Sequence, residues 1–294
     1  MANAREIKQR IRSVQSISQV TRALEAVSAS KVRKAIEQLE DTRPYSLKAW
    51  QVLQHIASMP SRSDLHPLLV TRSEIKNVDA IVISGDRGLA GAYNTNIIRK
   101  TEEWEESIDV PVRYIAVGRK GRDLLLLRGK NLLAEFSDLP ARPSFMDISP
   151  IGRVAVDDFL TGKTDEVYII YTDFVNRMTH TPVIQKLLPL ESTENHRVES
   201  FEEQKPHLGG YIFEPDRELI LNYLVPRFTA LQVYHAVIES LASEHSARMI
   251  AMKNATENAT ELADALQLVY NKARQQAITN EMIDIAGGAE AVSQ

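Results

Sequence analysis

Apolar residues recur at Ile7, Ile11, Val14, Ile17, Val20, Leu24, Val27, Val32, Ile36 and Leu39, and no proline or glycine interrupts residues 1–43. Their mean spacing of about 3.6 residues is the α-helical period. The C-terminal end carries a second such pattern. Alternating steps of three and four from Leu231 land on Tyr234, Ile238, Leu241, His245, Arg248, Met252, Ala255, Ala259, Leu262, Leu266, Val269 and Ala273, of which only His245 and Arg248 are polar. Nothing between Pro226 and Gly287 breaks a helix, and roughly 60 residues at about 1.5 Å each would reach about 90 Å. That is too long for a compact domain, so the pattern predicts a helix that supercoils with a partner. Small residues such as Ala255, Ala259 and Ala273 let that partner come close. Because the middle of the chain must leave and return at one end of the rod, the two terminal helices are expected to form a long antiparallel coiled coil.

Between them the period changes. Asp79–Ile83 and Val112–Val117 are apolar runs of buried-strand type, followed by Val167–Thr172 and Thr181–Leu188. Helical segments at Tyr93–Glu105, Arg122–Leu127 and Ile151–Leu160 alternate with them. Strands and helices in this order predict a Rossmann-like α/β domain with a largely parallel sheet. Pro44 and Pro60 punctuate the first helical region and leave open whether helix resumes through Trp50 and Ile56. Residues 191–210 are polar and rich in glutamate, and read as a connection. The expected division is a coiled-coil helix over 1–60, an α/β base domain over 75–210 and a second coiled-coil helix over 211–294.

Composition narrows the chemistry. The 294 residues include no cysteine, which excludes disulfides, thiolate metal sites and cysteine nucleophiles. No apolar run approaches the roughly 20 residues that span a bilayer, so any membrane association is expected through partner proteins. The seven histidines, His55, His66, His180, His196, His207, His235 and His245, show no metal-binding spacing, and neither a metal nor a cofactor is expected.

One motif suggests a nucleotide. Gly85, Gly88 and Gly91 follow the first strand, where a phosphate-binding turn would sit, but dinucleotide binding wants Gly-x-Gly-x-x-Gly. The position is right and the spacing is wrong, which favours a tight strand-to-helix turn with close packing. The net charge of −4 hides a basic N-terminus: Arg5, Lys8, Arg10, Arg12, Arg22, Lys31, Arg33 and Lys34 against Glu6 and Glu25 give residues 1–34 a charge of +6. Such a helix is read as a nucleic-acid footprint or as a solvated coiled-coil face. The absence of any aromatic before Tyr45 speaks against single-strand stacking.

Several stretches resemble one family. Ile278–Asp284 followed by Gly288-Ala289 is similar to the C-terminal signature of the γ subunit of F-type ATP synthases. Ala242–His245, Arg248-Met249, Ala251-Met252, Asn258-Ala259 and Asn271–Gln275 resemble the same family, as do Ile17–Leu24 and Ser84–Leu89, in the family's order. The resemblance implies a rotating central shaft without catalytic residues, one copy per complex. It transmits torque between an ion-driven membrane c-ring and a ring of α and β subunits, on the cytoplasmic face of a bacterial cell membrane. It also implies that the basic N-terminal charges face acidic loops of the β subunits rather than nucleic acid.

Residue by residue, the resemblance implies β-subunit contacts at Arg274, Gln275, Thr279 and Glu281, with Arg22 and Leu24 near the acidic β loop. Leu24 stands where the family commonly has methionine. Ile283, Ile285 and Val292 would be tip residues turning in an apolar bearing. Tyr211 and Glu214 would contact the ε subunit and the c-ring. Two rival classes are a self-assembling coiled-coil scaffold and a nucleotide-binding α/β protein; the first would form stable homo-oligomers, and the second needs the glycine loop to bind phosphate.

Overall fold

A computed structural model of the chain describes residues 4–57, 67–190 and 217–292. By internal contact it divides into two compact units, one of Ala29–Ala247 and one of Met1–Ser28 with Arg248–Gln294. Two helices run through both: α1 (Ala4–Ala57) and α5 (Arg217–Val292). The helix does not stop at Pro44, which lies within α1, and Pro226 likewise lies within α5.

The Ala29–Ala247 unit holds a five-stranded sheet in the order β3-β2-β1-β4-β5. Its strands are β1 (Val78–Ile83), β2 (Val112–Val117), β3 (Leu132–Phe136), β4 (Glu166–Phe174) and β5 (His180–Leu188). The first four are mutually parallel, and β5 returns antiparallel along β4. The expectation of an α/β domain holds. The strand β3 went unrecognised because it is a five-residue edge strand whose alternate residues, Leu133 and Glu135, are exposed.

All six residues of β1 are buried, as the central strand of a sheet covered on both faces requires. Ala80 and Val82 pack with Ile97 and Ile98 of α2 (Tyr93–Glu105) and Leu125 of α3 (Arg119–Leu127). Ile81 and Ile83 face the other way. They join Ile148, Ile151 and Phe159 of α4 (Phe145–Leu160) and a block of α5 from Val225 to Ile238. The period of two along β1 therefore sorts its side chains into two apolar layers. Ser144 starts α4 with a reciprocal cap, in which its side chain accepts from Asp147 N–H while the Asp147 carboxylate accepts from Ser144 N–H at 2.7 Å. The Ser144 hydroxyl also donates to that carboxylate at 2.7 Å, and this bond, with the one from Ser144 N–H, holds the Asp147 carboxyl below its usual range.

One ionic cluster is buried under this sheet. Arg113 of β2 forks onto both carboxylate oxygens of Asp79 at 2.8 Å and reaches Asp158 of α4 at 2.9 Å. Burial pushes the Asp79 carboxyl up, and the Arg113 guanidinium pulls it back. Such a pair ties strand to helix only while both partners remain, because one left alone is an uncompensated buried charge.

In the other unit, Ser18 Oγ meets Thr260 Oγ1 at 3.4 Å and Thr21 Oγ1 meets Thr256 Oγ1 at 2.7 Å. One number rises as the other falls, so α1 and α5 run antiparallel here, as the coiled-coil pattern predicts. The seam itself differs from the apolar count. On α1 Ile7, Ile11, Val14, Ser18, Thr21, Glu25 and Ser28 are buried or half-buried in a strict alternation of four and three, with half-buried Leu24 beside them. Ile17, Val20 and Val27 face outward, 54%, 58% and 54% exposed. On α5 the sequence count meets buried or half-buried positions at Met252, Ala255, Ala259, Leu266 and Ala273, but Thr256, Ala263 and Tyr270 are half-buried too, while Leu262 and Val269 are exposed. Hydroxyls and alanines thus occupy the interface and let the backbones approach.

Two outcomes follow for urea unfolding of the chain. Arg113→Met should destabilise by about 3–5 kcal/mol, and adding Asp79→Leu should recover much of that loss, since the pair's removal is tolerated better than its halving. Ile11→Ala should cost about 2–3 kcal/mol as a buried truncation. Ile17→Ala should stay within about 0.5 kcal/mol as a surface change. Equal costs at residues 11 and 17 would restore the seam counted from the apolar residues.

Candidate functional site

The sheet's strand order changes direction between β1 and β4, and the crevice outside the carboxyl ends of such strands is the place where this architecture holds ligands. The glycine loop borders it, but its groups are taken by the protein. Gly85 N–H donates to Asn94 Oδ1 at 2.9 Å, and the Asp86 carboxylate accepts from the N–H groups of Arg119 at 3.0 Å and Asp138 at 3.1 Å. Lys120 N–H donates to Gly85 O at 3.0 Å and Gly121 N–H to Ser84 Oγ at 2.8 Å. The first turn of α3, which would otherwise offer free N–H groups to a phosphate, is therefore capped by the loop after β1. Gly118 has φ +95°, and a Cβ there would stand 2.3 Å from Ser84 O, so only glycine fits. A methyl on Gly85 would stand 2.8 Å from Cδ of Glu244 on α5. Of the three motif glycines, Gly85 serves close packing and Gly91 a turn with φ +58°, whereas a methyl on Gly88 would meet nothing within 4 Å.

Two of the described histidines lie on α5. His245 is buried, and burial pushes His235 down to about 4, which keeps its ring neutral near pH 7. Among the described residues no group of His, Asp and Glu is arranged to hold a metal.

The surfaces left for recognition lie on the helices. Every residue of α5 from Arg274 to Ala286 is exposed, including Arg274, Gln275, Thr279 and Glu281. Arg274, Ile278, Glu281 and Ile285 follow one another at i, i+4, i+7 and i+11 down one side, with Gln275, Thr279 and Met282 beside them. Ile278, Met282, Ile283 and Ile285 are 48%, 58%, 62% and 68% exposed, an apolar density unusual for a solvated helix. The seam register explains where this begins: it sets the first turn of α1 opposite Tyr270 and Ala273, the last half-buried stretch of α5. Val292 is the last residue of α5, and its side chain lies outside the described residues, as do Tyr211 and Glu214 altogether.

On α1, Arg22 is exposed and Leu24 half-buried. Leu24 belongs to an outward apolar stripe with Ile17, Val20 and Val27, spaced i, i+3, i+7 and i+10. These three residues were missed as surface candidates because the apolar count assigned them to the seam. Strict three-four stepping from Ile7 and Ile11 would have separated them. Ile278 and Met282 are further exposed apolar positions that sequence reasoning passed over. No described helix is long and apolar enough to cross a membrane.

The sequence model of the family described as ATP synthase matches residues 3–292. The chain is 46% identical over 294 residues to the ATP synthase gamma chain of Dehalococcoides mccartyi, covering the whole of both chains. It is 41% identical over 292 residues to that of Moorella thermoacetica, covering 99% of this chain and 100% of the relative. Among solved structures, it resembles a chain of the Euglena gracilis mitochondrial ATP synthase rotor with a TM-score of 0.65 at 20% identity, covering 94% of this chain and 98% of that one. A chain of the Tetrahymena thermophila mitochondrial central stalk and c-ring gives 0.60 at 23% identity, covering 80% and 99%. The structural likeness carries the fold, a central sheet with long terminal helices; the sequence likeness carries the family. The chain belongs to the ATP synthase gamma chain family, that of the central-stalk subunit of the complex.

Proposed function

We propose that this central-stalk chain works as a rotating shaft with no catalytic residue of its own. Residues 1–60 and 211–294 form the shaft and residues 75–210 the base. Torque passes through it between an ion-driven c-ring in the membrane and a ring of catalytic α and β subunits. One copy serves each complex, the ε subunit binds at the base, and the assembly holds the chain peripherally on the cytoplasmic face of the cell membrane. What supports this reading most is the full-length likeness to gamma chains joined to a helix end whose apolar and polar side chains are exposed.

The physical argument runs through asymmetry. An antiparallel helix pair presents a different surface in each direction, so at each angle it meets the surrounding β subunits with different contacts. A shaft can bias their conformations only by such differences in interaction free energy. Arg274, Gln275, Thr279 and Glu281 supply hydrogen bonds and charge to β-subunit loops, and Arg22 with the stripe around Leu24 meets the acidic β loop. Ile283, Ile285 and Val292 turn in an apolar bearing that rewards their burial without a directional bond. Tyr211 and Glu214 contact the ε subunit and the c-ring.

The test is a reconstituted complex carrying Arg274→Ala with Gln275→Ala. Each lost contact is worth on the order of 1 kcal/mol, so losing both should lower ATP hydrolysis by about thirtyfold while the chain remains folded. Unchanged hydrolysis and assembly would remove both residues from the β-subunit contact.

A further inference from the structure

We infer that the crevice at the carboxyl ends of β1 and β4 is a socket for α5, and that Ser240, Ser243 and Glu244 are positioning residues that lock the rotational setting of the helix against the sheet. The inference rests on the shaft reading and names the part of the chain where torque enters the base.

Three elements grip one turn of α5 within the Ala29–Ala247 unit. From β4, Thr172 N–H donates to Ser240 Oγ at 3.1 Å, and Ser243 Oγ donates back to Thr172 O at 3.2 Å. From the start of α2, Tyr93 OH donates to Ser240 O at 3.1 Å. From the loop after β1, Gly85 leaves a space that the Glu244 carboxyl group fills, with Cδ and Oε1 at 2.8 and 2.9 Å from where a methyl would stand. Ser240 and Ser243 are almost wholly buried, at 1% and 0% exposure, and Glu244 is 6% exposed.

Apolar packing alone would leave a helix free to roll over ridges of similar shape. Directional bonds to a strand do not allow this. Thr172 both gives and accepts, at two residues three apart on the helix, so rotating α5 breaks both bonds at once and leaves buried polar groups unpaired. Glu244 adds a stop, because its seat exists only where Gly85 lacks a side chain. The crevice that in this sheet architecture would hold a ligand is spent on fixing a helix. The loop that would cradle a phosphate instead caps α3 and leaves room for Glu244.

The absence of native cysteine makes a reversible test possible. Gly85→Cys with Glu244→Cys puts two thiols in the seat that the Glu244 carboxyl group fills, and thiol titration after oxidation selects the complexes in which they have bonded. The complete complex, its c-ring end carrying a bead and its αβ ring fixed to glass, is held at a catalytic dwell while the bead's angular variance is read. Reduced, with the glutamate stop gone, the variance should exceed that of the unsubstituted complex by about twofold or more. Oxidised, it should return to that value in the same molecules, a change a mere loss of folding would not reverse. Ser243→Ala, with no disulfide needed, should raise the variance in the same direction and lower ions pumped per ATP hydrolysed.

Equal variance in the reduced, oxidised and unsubstituted complexes, or an unchanged variance in Ser243→Ala, overturns the socket and leaves the shaft standing. A bead that fails to rotate with ATP on the unsubstituted complex overturns the shaft itself.

Discussion

One helix, α5, must satisfy three different surroundings along its length, and the other elements are arranged around how it does so. Of residues 225–246 only Arg227 is exposed, because sheet, α4 and loops surround this part of the helix. From Lys253 onward the burial narrows to a stripe one residue in three or four, and from Arg274 it disappears. The first part gains its stability as core does, by removing apolar area from water on every side. The second has one seam, and the third, through Ala286, has none among the described residues. A helix whose side chains are exposed and apolar at its end is stable in isolation only as an extension of the anchored part, which gives a physical reason for the depth of that anchor.

The seam shows a second choice. Ser18, Thr21, Thr256 and Ala259 fill less volume than leucines would, so the interface gives up apolar burial for close backbone approach and hydroxyl pairing. Each hydroxyl pair contributes only about 1 kcal/mol net. Their larger effect is on register, since a slip along the helices would bury these groups without partners, the role a polar seam residue has in specifying coiled-coil alignment. Leucine-like residues pushed off the seam, Ile17, Val20, Val27 and Leu262, are then left outside, available to other subunits.

Much of this was legible in the sequence, for identifiable reasons. Strands β1, β2 and β4 announced themselves because parallel strands buried on both faces are unbroken apolar runs. Both long helices showed by their period and their lack of breakers. The slip in the seam arose because counting apolar residues favours Leu262 and Val269 over Thr256 and Ala263, and hydrophobicity alone cannot register an interface built from small and hydroxyl side chains. Helix continues through Pro44, which the sequence had left open, and at Pro226 buried Val225, Phe228 and Thr229 hold the helix against the core across the missing hydrogen bond. The spacing of the glycine loop read as a tight turn with close packing, but the side chain packed on Gly85, that of Glu244, lies about 160 residues away and only the fold brings it there. Arg274, Gln275, Thr279 and Glu281 are exposed, as the proposed contact role requires.

The most direct test of the central claim is ATP hydrolysis by the matching α and β subunits purified with and without this chain, together with the composition of the complex that forms. A shaft predicts one copy of the chain for each ring of three α and three β subunits and a conversion to sustained, cooperative turnover. A chain that assembles with itself, or that leaves the hydrolysis of α and β unchanged, would contradict the account.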